Sequence, residues 1–270
     1  MTADTHRGLI VDQFTRQAVP FSTASPITDE NALRMIIEAA RPQPDDTMLD
    51  VACGGGIVVC AFAPHVRHAT GIDMTPAMLQ RAKRLADDKS IANTTFDQGD
   101  AQALSYPDAA FNIVVTRFSF HHFLDPLAVL REMRRVVAPG GRIVVADMYA
   151  SQDSAKAAEW NRLEKLRDPS HVRCLSLTEL QGLFAAAAIP EPQVSFYELG
   201  DDVNNLLARS FPNPGDDAKI IAMFAASAED DRLGIPVHRD GSRLRYAYPV
   251  AILASRMPGP STSRHTQRGE

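Results

Sequence analysis

The stretch TMLDVACGGG, residues 47–56, carries the strongest structural signal in the chain. An apolar run containing Asp50 passes directly into glycines, and the apolar residues 57–63 that follow predict a helix. Glycines at such a turn let a ligand approach the backbone, and the first N–H groups of the helix remain free to bind it. The stretch therefore predicts a strand, a ligand-binding turn and a helix that together receive a nucleotide-like cofactor.

The same alternation of strand and helix continues after this stretch. Short β-branched runs alternate with amphipathic segments, which is typical of a parallel sheet covered by helices on both faces. The predicted strands are residues 47–52, 69–73, 94–98, 112–117 and 142–147. The predicted helices are residues 57–63, 76–89 and 126–137, the last two with a proline in the first turn and a residue before it that can cap the end.

Two other segments flank this alternating core. Residues 1–44 predict a helical cap of two helices with a link at residues 20–26, and residues 45–257 predict the main domain. Within it, residues 151–243 predict a mostly helical insertion that covers the substrate, with one strand at 193–199. Residues 244–255 predict an edge strand that pairs across a homodimer or lies under the insertion, and residues 258–270 predict a disordered tail.

Composition excludes several classes of partner. A net charge of -5 over 270 residues does not suggest the concentrated basic surface that nucleic acids or anionic membranes require. The chain has no secretory leader and no apolar run near the roughly 20 residues of a membrane helix, so a cytoplasmic protein is expected. Its three cysteines, Cys53, Cys60 and Cys174, have neither disulfide nor zinc spacing. A small-molecule partner is favoured.

Three further motifs lie at successive strand ends. Asp73 ends the second strand, where a carboxylate can accept hydrogen bonds from both ribose hydroxyls of an adenosine. Asp100 and Ala101 follow the third strand, where they can hold an adenine amino group. Arg117 begins RFSFHH after the fourth strand, beside the place where a doubly wound sheet binds its ligand. Four motifs in order are a stronger signal than one.

Together these motifs resemble the class I S-adenosylmethionine-dependent methyltransferases, most closely the group containing the ubiquinone and menaquinone C-methyltransferases. The matching pieces are LDVACGGG, GIDMTPAMLQRAK, QGDAQALSYPDAAFNIVVTRFSFHHFLDP and LREMRRVVAPGGRIVVAD, which cover residues 45–150. The resemblance implies a Rossmann-like, doubly wound seven-stranded sheet with an antiparallel last strand. It also implies S-adenosylmethionine as the cofactor and a small molecule as the methyl acceptor.

The resemblance further implies a role for each matched residue. Asp50, Gly54 and Gly56 are expected along the methionine part of the cofactor, Asp73 at the ribose, and Asp100 with Ala101 at the adenine. Arg117 follows the strand that flanks the methionine end. The remaining expected cofactor contacts are Met74 and Ala52, which replaces the family's first glycine.

A nicotinamide dinucleotide is the competing cofactor, because it also uses a glycine-rich turn followed by an acidic residue. Its fingerprint requires glycine or alanine where this chain has Val59, which crowds the close packing of helix on strand. The spacing and the Gly99-Asp100-Ala101 motif favour a methyltransferase. A third hypothesis is a cyclase or binding protein that keeps the fold and the cofactor without transferring a methyl group.

Catalytic and substrate-binding residues are harder to predict. His121 is a candidate base, although the His121-His122 pair also suits a simple turn. In the insertion, Asp168, His171 and Arg173 are expected at the substrate, with His171 as a second candidate base, unless their segment is only a solvated loop. Further candidates for the substrate wall are His122, Tyr149, Phe14, Phe21 and Phe118. No acidic cluster suggests a metal site, and the sequence does not choose among C-, O- and N-methylation.

Overall fold

The computed structural model describes residues 2–259 of the chain. Its helices are α1 (Ala3–Ser22), α2 (Glu30–Ala40), α3 (Ile57–Phe62), α4 (Pro76–Asp88), α5 (Pro126–Val136), α6 (Ser154–Arg167), α7 (Leu177–Ala186), α8 (Val203–Ala208) and α9 (Asp216–Asp230). Its strands are β1 (Thr47–Val51), β2 (His68–Asp73), β3 (Thr94–Gln98), β4 (Phe111–Arg117), β5 (Val137–Met148), β6 (Gln193–Asp202), β7 (Val237–Asp240) and β8 (Arg243–Arg256).

The strands form one sheet in the order β3-β2-β1-β4-β5-β8-β6, and the short β7 pairs with β8. Strands β1 to β5 are parallel, whereas β8 is antiparallel to both of its long neighbours. The strand order reverses between β1 and β4, which is where a doubly wound sheet opens a crevice at its carboxyl ends. The predicted doubly wound sheet with an antiparallel last strand is confirmed, with β7 as an addition.

The predicted position of the last strand at an edge is wrong. Strand β8 lies between β5 and β6, and its residues Val250, Ala251, Ile252 and Leu253 are fully buried. Such a continuous apolar run suits a strand covered on both faces, because neither side of it then meets water. Strand β6 forms this edge, so β8 is not free to pair across a dimer.

The first helix is longer than the sequence predicts. Helix α1 runs from Ala3 through Pro20 to Ser22, so the predicted link does not begin at Pro20. A proline inside a helix removes one backbone hydrogen bond. Two hydrogen bonds that span Pro20 stabilise the last turn of α1. The Ser22 hydroxyl donates to the Ala18 carbonyl, and the Thr23 N–H donates to the Val19 carbonyl at 3.2 Å.

Packing places seven of the nine described helices in two sets. Helices α5 and α7 cover one face of the sheet with Leu130 and Phe184, and α2 and α3 contribute Ile36 and Phe62 to the apolar cluster of the other face. Helices α6, α8 and α9 form a separate apolar cluster with β8, which includes the fully buried Trp160. Thus α2 and α7 belong to the layers of the sheet, whereas α6, α8 and α9 build a compact unit beside its carboxyl ends.

Two remaining predictions concern the C-terminal tail and the absence of a membrane-spanning helix. From residue 260 onward, the predicted disordered tail lies outside the described residues. No described helix is long and apolar enough to cross a membrane.

Candidate active site

A first cavity opens at the carboxyl ends of β1, β2 and β4 and contains about 1230 Å³ of space free of protein atoms. It lies at the reversal of the strand order, as expected for a ligand site of this fold. Eight of the nine residues predicted to contact the cofactor line it: Asp50, Ala52, Gly54, Asp73, Met74, Asp100, Ala101 and Arg117.

The turn after β1 is tied to the end of β2 through Asp73. The Gly54 N–H donates to Asp73 Oδ2 at 2.9 Å and the Thr75 N–H donates to Oδ1 at 2.8 Å. Burial raises the pKa of Asp73, and these hydrogen bonds act in the opposite direction because they stabilise the ionised form. The carboxylate is thereby held in one orientation at the rim of the cavity.

Asp50 lies deeper in the same wall and is 2% exposed. Burial and the nearby Asp73 carboxylate raise the pKa of Asp50, while the Arg117 guanidinium lowers it. Ala52 adopts a left-handed backbone conformation with φ of 58°. That conformation costs a non-glycine residue about 1 kcal/mol, which explains why glycine is the family's residue at this position.

Gly56 is the one predicted cofactor residue that does not line the cavity. It begins α3 with φ of 76°, and a Cβ there would lie 2.6 Å from the Cβ of Ala82 on α4. Its expected contact with the methionine part stays a prediction. This glycine allows α3 and α4 to pack closely, because no side chain stands between them.

Arg117 is 8% exposed, and it forms no ion pair within residues 2–259. Its Nη1 donates to the Ile27 carbonyl at 2.8 Å, and its guanidinium lies 4.4 Å from the centre of the Phe118 ring. Its Nη2 is buried and has no hydrogen-bond partner in the described part of the chain. A buried cation with an unpaired donor in the wall of a cavity is suited to an anionic group of a ligand.

Helix α1 closes the first cavity with residues that sequence reasoning missed. Arg7 forms an ion pair with Asp100, and His6 Nε2 donates to the His122 carbonyl at 2.7 Å. His6, Arg7 and Ile10 all line the cavity. Nothing in the polar sequence of α1 distinguishes these positions from a solvated helix face, so only the folded chain identifies them.

A second cavity adjoins the first and contains about 560 Å³ of free space. The two cavities share a wall made of Phe14, Phe21, Ile27, Phe118 and His122. The residues that line only the second cavity come from α1, α6 and α8, from β5, β6 and β8, and from the connections beside them: Gln17, His121, Met148, Arg167, Asp168, Leu199, Leu206, Arg209, Tyr246 and Tyr248. Of the residues predicted at the substrate, Phe14, Phe21, Phe118, His122, His121 and Asp168 are brought together here.

The two arginines that line the second cavity are each paired with a carboxylate of the chain behind its wall. Arg167 pairs with Glu164 at 2.6 Å, and Arg209 pairs with Asp201 at 2.5 Å. Asp168 accepts hydrogen bonds from the Ser170 hydroxyl at 2.6 Å and from Gln17 Nε2 at 3.2 Å. Asp168 therefore ties α1 to the segment after α6, and its contacts support the wall of the cavity.

Three residues predicted at the substrate lie away from both cavities. His171 is fully buried, its Nε2 bonds to Asn161 Oδ1 at 2.8 Å, and burial lowers its pKa well below the usual value. Arg173 is exposed and pairs with Glu179 at 2.8 Å, beside the cap of α7. Tyr149 packs against Phe196, with ring centres 5.8 Å apart. The structure contradicts these three assignments because each side chain points into a structural contact.

Comparison with known proteins agrees with this geometry. Residues 42–208 match the family described as a methyltransferase domain, and the chain belongs to that family. An uncharacterised methyltransferase of Bacillus subtilis, YcgJ, is 30% identical over 89% of this chain and 96% of its own length. The crystal structure of YcgJ superposes with a TM-score of 0.77 at 29% identity, over 85% of this chain and 99% of that one.

Two other relatives match less closely. A demethylmenaquinone methyltransferase of Deinococcus radiodurans is 42% identical over 37% of this chain and 42% of its own length. The [4+2]-cyclase SpnF superposes with a TM-score of 0.62 at 20% identity, over 85% of this chain and 82% of that one. The likeness to the cyclase shows the fold alone.

The protein is thus a class I methyltransferase, and its cofactor is S-adenosylmethionine. The first cavity fits this cofactor chemically. Carboxylates at two strand ends suit the hydroxyls and the amino group of an adenosine, and the unpaired Nη2 of Arg117 suits the methionine carboxylate.

Proposed function

We propose that this enzyme methylates a small molecule, quinone-like or a secondary metabolite, at carbon or oxygen. The observation that carries the proposal is the second cavity. It shares part of its wall with the first cavity, and most of the side chains that line it are aromatic or aliphatic. Its walls combine apolar side chains with a few polar groups, which is the composition typical of small-molecule sites. A macromolecular acceptor would need an open approach, whereas this cavity lies between α1 and the unit of α6, α8 and α9.

In the first cavity we assign the cofactor contacts by their chemistry. Asp73 accepts from the ribose hydroxyls, Asp100 and Ala101 face the adenine, and Asp50 and Gly54 border the methionine part together with Arg117. When bound, S-adenosylmethionine supplies a methyl group activated by its sulfonium. Helix α1 excludes water from both cavities, because its first turns line the first cavity and its later turns line the second.

The acceptor occupies the second cavity in this proposal. Phe14, Phe21 and Phe118 form an apolar wall that suits a flat, conjugated molecule, and the internally paired arginines leave little net charge for binding a strongly ionic one. The enzyme's main contribution is to hold acceptor and methyl group in line, which is a large share of the catalysis such transfers require.

The proposal is tested by incubating the protein with cofactor carrying a labelled methyl group and a panel of quinols, phenols, amines and peptides. We expect label on a small conjugated acceptor, with S-adenosylhomocysteine formed in equal amount. Label on peptides alone would contradict the proposed acceptor class. Tight cofactor binding without S-adenosylhomocysteine, accompanied by rearrangement of an unlabelled acceptor, would instead favour a cyclase.

A further inference from the structure

Asp147, the penultimate residue of β5, is a buried carboxylate with an unusually complete set of donors. It is 1% exposed. Its Oδ2 accepts from the N–H groups of Ser119 and Phe120, at 3.0 and 2.6 Å. Its Oδ1 accepts from the N–H of Met148 at 2.7 Å and from His121 Nδ1 at 2.6 Å. Asp147 therefore fixes both the turn after β4 and the imidazole of His121.

The contact with Asp147 determines which nitrogen of His121 is available. An ionised carboxylate can only accept a hydrogen bond, so Nδ1 carries the hydrogen and the neutral ring has its lone pair on Nε2. Within residues 2–259 no hydrogen bond uses Nε2, and His121 lines the second cavity. The backbone of His121 is fixed as well, since its carbonyl accepts from Val172 and Arg173 at 2.8 and 3.1 Å.

The neighbouring His122 differs in this respect. Its Nδ1 lies 3.2 Å from the Ser170 hydroxyl, and none of the described hydrogen bonds joins its ring to a carboxylate. Burial and the adjacent His121 lower the pKa of His122 to about 3, so its ring stays neutral and weakly basic. Of the two adjacent histidines, only His121 is hydrogen-bonded to a carboxylate among the described residues.

Groups from several elements surround His121 and bear on its protonation. Asp147 comes from β5 and His122 from its own turn. The ring of His171, from the segment after α6, has its centre 5.7 Å from that of His121. The other titratable or charged groups that line the second cavity with His121 are Arg167, Asp168, Arg209, Tyr246 and Tyr248. Since Arg167 is paired with Glu164, Asp147 is the charge in direct contact with the ring.

We propose that His121 is the general base of this enzyme, that Asp147 is its positioning residue, and that the acceptor is a weak acid, a phenol or an enol, rather than an amine. This inference rests on the proposed function. The acceptor O–H bond breaks, its proton passes to His121 Nε2 and its electron pair stays on the acceptor. That pair forms the new bond to the methyl carbon as the carbon–sulfur bond breaks with its pair left on sulfur, and the imidazolium releases its proton to solvent.

The acceptor class follows from the same geometry. A neutral amine carries a lone pair and needs no base before it attacks, so a buried imidazole oriented by a carboxylate would give it no advantage. A phenol or enol is mostly protonated at neutral pH and becomes a good nucleophile only when the proton leaves. The apolar walls of Phe14, Phe21 and Phe118 suit the conjugated body of such a molecule.

A binding experiment tests the proton transfer without requiring methylation. 4-Nitrophenol is added to the protein saturated with S-adenosylhomocysteine, at a pH where the free phenol is mostly protonated, and the phenolate absorbance is followed. We expect phenolate in the wild type and its loss in His121→Gln, with His65→Gln as an exposed control. Neutral phenol in the wild-type complex, or no binding of the phenol, would overturn the proposal.

Kinetics with an accepted phenol then separate base from positioning residue. We expect His121→Gln to lower kcat about 100-fold or more at neutral pH and to recover as pH rises through the pKa of the phenol. Asp147→Asn should shift the pH profile, and Asp147→Glu should restore part of the rate, which a purely structural role would not do.

An equal loss of kcat in His121→Gln at every pH would refute the role of His121 as the base. Faster methyl transfer to matched amines than to phenols would refute the proposed acceptor class. Unchanged affinity for S-adenosylhomocysteine alongside no transfer to any acceptor would instead reject the proposed function.

Discussion

The two cavities of this enzyme are built in different ways. The wall of the first comes mainly from strand ends and turns within residues 50–124, with α1 as its cover. The second draws on residues from Phe14 to Tyr248, which come from helices α1, α6 and α8, from strands β5, β6 and β8, from the turn after β4 and from the connections beside these elements. The cofactor half therefore depends on local backbone geometry, and the acceptor half depends on packing between distant segments.

The halves also differ in how their charges are satisfied. In the first cavity, Arg117 keeps an unpaired Nη2, and no hydrogen bond of the described residues uses the Asp50 carboxylate. In the second, the two arginines are each paired with a carboxylate of the chain. Unsatisfied groups indicate contacts that a ligand completes, so the first cavity is prepared for a polar cofactor and the second for a largely apolar acceptor.

The largest expected effect comes from the turn geometry of the cofactor half. In Gly56→Ala the new Cβ would lie 2.6 Å from the Cβ of Ala82, and the alanine would have to adopt the left-handed backbone conformation of Gly56. The variant should therefore lower the free energy of unfolding by about 3 to 4 kcal/mol. Gly54→Ala is the matched control, because it has a similar φ but its Cβ would meet only Met78 Sδ at 4.0 Å. We expect Gly54→Ala to lower the free energy of unfolding, measured by thermal unfolding, by about 1 kcal/mol. Equal losses would mean that packing of α3 on α4 is not the reason for Gly56.

A second prediction concerns the acceptor half. Leu199 on β6 is buried at the second cavity, so Leu199→Ala should cost about 2 to 3 kcal/mol of stability and raise the KM of the acceptor. Affinity for S-adenosylhomocysteine, measured by calorimetry, should stay within about twofold because Leu199 does not line the first cavity. Leu130→Ala on α5 removes the same atoms from the other core and should leave the acceptor KM unchanged. Weaker cofactor binding in Leu199→Ala would show that the halves are not separable.

How far the sequence predicts each half follows from this difference. Asp73 was predictable because a carboxylate at the end of a buried strand has few structural reasons to be there, and Asp100 because its Gly-Asp-Ala motif follows the next strand in order. Asp147 carries the same signal, at the end of IVVAD, and would have been found by applying that rule to the fifth strand. His171 and Arg173 were misassigned because sequence places them only in a segment, whereas burial and the bonds to Asn161 and Glu179 decide where they point. Leu206 and Tyr246 carry no signal, since their position depends on how the helical unit packs on β8.

A third prediction isolates the polar contacts of the first cavity. Asp73→Asn should weaken S-adenosylhomocysteine binding about 30-fold, or about 2 kcal/mol, because an amide cannot accept on both atoms. Burial raises the pKa of Asp73, so its ionised form is not favoured by folding, and we expect a smaller change in thermal midpoint than for Gly56→Ala. Asp88→Asn, on the exposed end of α4, is the control and should bind normally.

The raised pKa of Asp73 also predicts how binding varies with pH. A raised pKa means that the carboxylate takes up its proton at a higher pH than an ordinary aspartate, and the protonated group accepts fewer hydrogen bonds. Affinity of the wild type should therefore fall as pH decreases through that raised pKa, and Asp73→Asn should show a weaker dependence over the same range. An identical pH profile in the variant would assign the titration to Asp50, whose pKa is raised by burial and by Asp73.

The smallest expected effect is at the cover shared by the two halves. Arg7 on α1 pairs with Asp100, but its side chain is 54% exposed, so the pair should contribute at most about 1 kcal/mol. Arg7→Gln should speed the release of S-adenosylhomocysteine by up to about fivefold in stopped-flow displacement, an effect that vanishes at high salt. Arg16→Gln, which removes an exposed ion pair with Asp12 within α1, should not change the release rate. A slower release in Arg7→Gln would mean that Arg7 competes with the adenine for Asp100, so that α1 opens the first cavity instead of closing it.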